Sequence, residues 1–152
     1  NSISIGFASG YTSQGSGSIA IGTDAGGDNQ GSNSISIGAS AGSSSQSDYS
    51  ICIGYSSGQV NQGISSVAVG PNCGYDTQGN NSVAIGDSVG LTSQGSRAIA
   101  MGYLTAQSNQ SDQAIAIGYN AGFSSQGQDS YDFLALRDRP CLSMMESILL
   151  SY

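Results

Sequence analysis

Asn81-Ser82-Val83-Ala84-Ile85-Gly86 decides the fold, because the same pattern stands sixteen residues before it, as Ser65-Ser66-Val67-Ala68-Val69-Gly70, and sixteen after it, as Arg97-Ala98-Ile99-Ala100-Met101-Gly102. Working outward in both directions, glycines fall at Gly6, Gly22, Gly38, Gly54, Gly70, Gly86, Gly102 and Gly118 with no insertion between them. A second column is Gln14, Gln30, Gln46, Gln62, Gln78, Gln94, Gln110 and Gln126, and a third is Gly10, Gly26, Gly42, Gly58, Gly74, Gly90, Ala106 and Gly122. Eight units therefore cover residues 1 to about 128. A fixed period of this length with turn residues in every unit is the mark of a solenoid, in which each coil stacks on the one before.

Each unit carries one apolar pair flanking a small residue, as in Ile19-Ala20-Ile21 or Ile51-Cys52-Ile53. Alternation over so few residues, rich in β-branched side chains and closed by glycine, reads as a short β-strand. The glycine density excludes helix. One strand per coil is expected, with coils about 4.8 Å apart and the rod on the order of 40 Å long. Stacking would then turn columns into ladders. The expectation is that Ile5, Ile21, Ile37, Ile53, Ile85 and Ile117 lie one upon another inside, and that the glutamines stack amide upon amide. The Ser/Ala column between the apolar residues would form a flat outer face. The glycines are expected to be structural, supplying positive φ and close backbone approach at the turns.

The periodicity reverses what composition suggests. Leu, Ile, Val and Phe make up about 19% of 152 residues, Gly numbers 23, and the formal net charge is −7, a profile usual for disorder. A solenoid needs few apolar residues if the same positions are buried in every coil. Composition also removes chemistry. The chain has no His and three basic residues, so Ser-His-Asp, Cys-His and most metal-hydrolase sites lack their parts. Nucleic acid is excluded as a partner on the same ground, since binding it requires clustered positive charge. No run of about 18 apolar residues is present, so no membrane insertion is expected. Cys52, Cys73 and Cys141 are too few and too scattered for a disulfide framework or a metal site. The chain opens on Asn1, not Met, and is expected to be a piece of something longer or a processed product.

Two large apolar residues per coil make a thin core, and small domains with thin cores recruit further burial. Side-by-side association of identical rods through the flat Ser/Ala column, most simply three around an axis, is the expected remedy.

The units Asn81-Ser82-Val83-Ala84-Ile85-Gly86 and Ser18-Ile19-Ala20-Ile21-Gly22 resemble the head repeats of trimeric autotransporter adhesins of the YadA type. The bacterial repeats are shorter. The second half of the unit, as in Asn120-Ala121-Gly122-Phe123-Ser124-Ser125-Gln126-Gly127, is more similar to repeat arrays in fibre proteins of large DNA viruses and phages. The resemblance implies an all-β, left-handed parallel β-roll joined as a homotrimer. It also implies an extracellular location, on a fibre of a virion or cell surface.

The repeat array is read as residues 1–130, with 131–152 a different segment. There Tyr131, Asp132 and Phe133 replace the apolar-small-apolar triplet, and five of the seven Leu follow. A C-terminal cap is expected, or the start of a trimerising or self-chaperoning segment with its first strands in 133–139.

Candidate chemistry is sparse. Phe7, Tyr55, Tyr103 and Tyr119 follow the first glycine column, and Tyr11, Tyr75 and Phe123 follow the second. Aromatic rings on a Ser/Asn/Gln-rich surface suit sugar stacking. The plainer expectation is that they pack over turn glycines or at a subunit boundary. Asp28 shares a column with Asp76, and Asp48 with Asp112, but neither pair lies in adjacent coils, so calcium ladders are not expected and the carboxylates read as solvated turn residues. Two N-x-S sequons begin at Asn80 and Asn109. No catalytic residue, metal ligand or cofactor is assigned, and no enzyme activity is expected. The function expected is structural and adhesive, a rigid trimeric stalk or head that attaches to a host receptor or glycan. The rival is an ice- or lattice-binding β-solenoid.

Overall fold

Alternation in each triplet directs one side chain inward and two outward, and parallel stacking repeats that choice down the rod. In the computed structural model, which describes residues 1–133, the chain is an all-β parallel solenoid of about eight sixteen-residue turns. Nine strands form one parallel sheet: β1 (Ile3–Ile5), β2 (Ile19–Ile21), β4 (Ile35–Ile37), β6 (Ile51–Ile53), β8 (Val67–Val69), β10 (Val83–Asp87), β12 (Ile99–Tyr103), β14 (Ile115–Ile117) and β16 (Tyr131–Phe133). Register follows the sixteen-residue spacing without slip, as in Ile35↔Ile51, Ser36↔Cys52 and Ile37↔Ile53.

Each coil carries two strands rather than the one expected. A second parallel sheet is formed by β3 (Asp28–Gln30), β5 (Ser44–Gln46), β7 (Val60–Gln62), β9 (Asp76–Gln78), β11 (Thr92–Gln94), β13 (Ser108–Gln110) and β15 (Ser124–Gln126). An isolated bridge, Gln14↔Gln30, carries its pairing back to the first coil. These segments show no apolar alternation. Their middle residues, including Asn29, Asn61 and Thr77, have φ of 50–60°, and only the outer two residues of each triplet pair with neighbours.

The apolar ladders run on the opposite side from the one expected. Ile5, Ile21, Ile37, Ile53, Ile85 and Ile117 do stack in one column, but it faces outward, and Ile53 retains 37% of its accessible surface. The interior belongs to Ala20, Ser36, Cys52, Ala68, Ala84, Ala100 and Ala116, all fully buried, so the Ser/Ala column cannot serve as an outer contact face. Volume explains the inversion. The glutamine of each second strand projects into the same narrow interior, and Gln30, Gln46, Gln62, Gln78, Gln94 and Gln110 are buried to within 3%. Close packing leaves only alanine-sized space opposite them.

The glutamines are tied chiefly within their own coil. In all eight, the side-chain Nε2 donates to the backbone carbonyl eleven residues earlier, from Gln14 to Ile3 through Gln126 to Ile115, which fastens the second strand to the first. The expected amide-upon-amide contact occurs at Gln62 to Gln78, Gln94 to Gln110 and Gln110 to Gln126, at 3.0–3.2 Å. A third repeated device closes one corner. Ser18, Ser34, Ser50, Ser66, Ser82 and Ser130 each donate to the carbonyl three residues back at 2.6–2.7 Å.

β16 stacks in register on β14, so Tyr131–Phe133 extend the first sheet by one strand. Asp132 then falls in the alanine column, and its carboxylate accepts the Gly122 N–H at 2.8 Å. In preceding coils the equivalent N–H, such as that of Ala106 or Gly90, donates to a carbonyl of the next coil. The carboxylate substitutes for that carbonyl. The rest of the cap expected over 131–152 lies outside the described residues.

Candidate functional site

Six of the aromatic residues singled out by their columns occupy the turns between the two sheets, Tyr103 ends β12, and all seven are exposed. Packing over turn glycines therefore does not bury them in the single chain. Phe7 and Tyr11 are the most open, at 81% and 76% of their accessible surface. Tyr103 and Tyr119 stack on each other across adjacent coils, with centroids 5.8 Å apart and planes 27° from parallel. Tyr55, Tyr75 and Phe123 stand without an aromatic partner among the described residues.

The structure brings Phe7 and Tyr11 together at one end of an open groove of about 660 Å³ that runs across the first four coils. Its existence is a matter of side-chain size. In the column that holds Tyr11, Gln59, Tyr75, Leu91, Gln107 and Phe123, the second and third coils carry Gly27 and Ser43. Those two residues leave the gap. Ala8, Asp24 and Ser40 line it from a single column, Asp28 and Ser44 from the start of second-sheet strands, and Gln59 closes the far end. Thr12 donates to the Asp28 carboxylate at 3.0 Å, which orients one wall. Sequence columns alone identified the rings but not the groove, which is defined by what is missing at Gly27 and Ser43.

Two further carboxylates, Asp48 and Asp112, are more structural than their sequence positions suggested. Asp48 accepts the backbone N–H of Ser32 at 2.7 Å, and Asp112 accepts that of Ser96 at 2.8 Å. Asn80, at the head of a sequon, accepts the Ile64 N–H in the same way. These side chains cap turn amides one coil away. Among the described residues no cluster of three or more potential metal ligands occurs.

No protein-family model matches the chain, and no curated protein matches it.

Cys52 and Cys73 are free thiols buried in the interior columns. Burial pushes the Cys73 thiol up to about 12 and raises that of Cys52 as well, where the neighbouring Cys73 adds to the effect. The Cys52 thiol donates to the Gln62 Oε1. A thiol held protonated and enclosed is inert, since the thiolate is the nucleophile. Iodoacetamide at pH 8 should leave both unmodified while the fold is intact, as read by peptide mass mapping. Modification should rise by orders of magnitude in denaturant. Labelling of either residue at the rate of an exposed thiol under native conditions would contradict this interior.

Proposed function

We propose that the chain is a structural segment of an extracellular fibre, a rigid homotrimeric stalk or head through which a virion or cell attaches to a host receptor or glycan. The observation that carries this reading is the outer face of the nine-stranded sheet. Two columns of Ile, Val and Met face outward side by side, on one side Ile19, Ile35, Ile51, Val67, Val83, Ile99 and Ile115, on the other Ile21 through Ile117. Coils about 4.8 Å apart make this a continuous apolar stripe on the order of 40 Å long. Monomeric proteins rarely expose apolar stripes of this extent, and such stripes mark contacts.

A second copy of the same chain is the occupant that fits. It presents the same columns at the same pitch, so stripes can interdigitate along their whole length, and three copies around an axis each need only one such face. The resemblance to trimeric adhesins and viral fibre repeats supports three rather than two. Association therefore runs through the Ile columns and not through the buried Ser/Ala column. A lattice-binding rod calls for a regular outward Thr array, and the regular outward columns here are Ile and Val.

Sedimentation equilibrium tests this. The native chain should run at three times its 15.2 kDa mass. The double variant I37E/I53E should run as a monomer with its far-ultraviolet spectrum retained, because both side chains point away from the interior. A native chain that stays monomeric at high micromolar concentration would overturn the proposal.

A further inference from the structure

We propose that the groove headed by Phe7 and Tyr11 is a binding site for an uncharged saccharide chain laid along the solenoid axis. The assignment rests on the attachment reading above and adds to it the place and the class of ligand.

Three features select the ligand. The first is the pair of open rings at one end. An aromatic face matches the C–H face of a pyranose. The second is the wall and floor chemistry. Ser40, Ser43 and Ser44 offer hydroxyls that both donate and accept, while the Asp24 and Asp28 carboxylates accept only. Vicinal sugar hydroxyls are the complementary group, able to donate to a carboxylate and exchange hydrogen bonds with serine. The third is the axial repeat. Equivalent positions in successive coils recur about every 4.8 Å, a pitch similar to the advance per ring in an extended polysaccharide, so successive rings of one chain would each lie against a successive coil, with hydroxyl or carboxylate side chains of the second and third coils beside them.

Charge excludes the anionic glycans. Two carboxylates line the groove, and the protein carries −7 overall. Arg97, the one basic side chain among the described residues, sits five coils beyond the coil of Asp24 and Asp28, on the order of 24 Å along the rod, which exceeds the screening length at physiological salt. Sialylated or sulfated chains would meet only repulsion there. The groove's volume of about 660 Å³ is in the range of small-molecule sites, enough for a few sugar rings.

The test is isothermal calorimetry of the native chain against laminarin, mannan and galactomannan as neutral probes, and heparin and polysialic acid as anionic ones. At least one neutral polysaccharide should bind and neither anionic one should. F7A and Y11A should each weaken that binding about tenfold or more, while Y119A, on a ring outside the groove, should not. G27L should block binding by placing a side chain where the column elsewhere holds Leu91, with the far-ultraviolet spectrum unchanged. Absence of binding to all three neutral probes, binding to heparin or polysialic acid, or binding indifferent to F7A, Y11A and G27L would each overturn the assignment. Sedimentation of the same samples separates this from the fibre reading. A trimer that binds no sugar overturns the groove alone, and a monomer that binds through Phe7 and Tyr11 overturns the trimer alone.

Discussion

Gly54→Ala should destabilise the solenoid by about 3–5 kcal/mol, a large part of the 5–15 kcal/mol that holds a typical domain together. Gly54 has φ of 129°, in a region that side chains with a Cβ scarcely enter, and a Cβ there would lie 2.6 Å from the carbonyl oxygen of Gly70 in the next coil. Strain at such a backbone angle costs on the order of 1–3 kcal/mol by itself. The clash adds to it, because the obstacle is backbone and cannot rotate aside. Relief would require the two coils to separate, which weakens the sheet hydrogen bonds on either side. Gly27→Ala is the matched control. Its backbone lies outside the positive-φ region and its added Cβ would meet the Ser43 carbonyl at 3.3 Å, so the loss should stay below about 1 kcal/mol. Urea unfolding of both variants at one protein concentration measures the difference. Equal midpoints would mean that the first glycine column is not the tight contact described.

The same column shows how much of the fold the sequence carried. Sixteen-residue spacing of glycine and glutamine, unbroken over eight units, is sufficient to infer a parallel solenoid and its register, because only a stacked coil makes every unit meet identical neighbours. Facing direction was not legible from Ile19-Ala20-Ile21 taken alone. Alternation says that Ala20 points opposite to both isoleucines, and the usual rule sends large apolar side chains inward. The information that reverses the rule is in another column. Gln30 occupies the interior across from Ala20, and two such volumes fill it. The second sheet was hidden for a related reason. Asp28-Asn29-Gln30 and Ser44-Ser45-Gln46 lack apolar residues, and what makes them strands is the stacking of their outer residues on the same positions one coil away. An invariant glutamine among variable Ser, Asn and Asp was the available signal of a buried, hydrogen-bonded position. The aromatic candidates were legible as columns, but the groove beside Phe7 and Tyr11 depends on Gly27 and Ser43 being small, a departure from the repeat and not a feature of it.

If the glutamines hold the two sheets together, Gln62→Leu should cost about 3–5 kcal/mol although the substitution keeps the interior filled. Gln62 donates to the Ile51 carbonyl at 3.0 Å and to the Gln78 Oε1 at 3.2 Å, and its own Oε1 accepts from the Cys52 thiol. Leucine can do none of this. Three buried polar groups would lose a partner, each at about 1–3 kcal/mol when no water can replace it, with partial relief where the Ile51 carbonyl finds another donor. Burial of leucine's apolar surface offsets part of the loss. Gln62→Glu separates shape from hydrogen bonding further, since the side chain is nearly isosteric. Protonated, it retains one O–H donor; ionised, it has none and places a charge in an enclosed interior. Burial raises a carboxyl's folded pKa above its unfolded value of about 4.3, so the neutral form carries the stability. The unfolded state then releases its proton first as pH rises, and Q62E should be most stable below about pH 4 and lose stability steadily above it, relative to the native chain at each pH. The position is in the fourth of eight coils, where a local break severs neighbours on both sides, and stability in such arrays depends on nearest-neighbour interfaces. Thermal melts of native, Q62L and Q62E chains between pH 4 and pH 8 measure both effects. A Q62L melt indistinguishable from the native one would show that the sheets are held by side-chain packing alone and that the glutamine column is not their fastening.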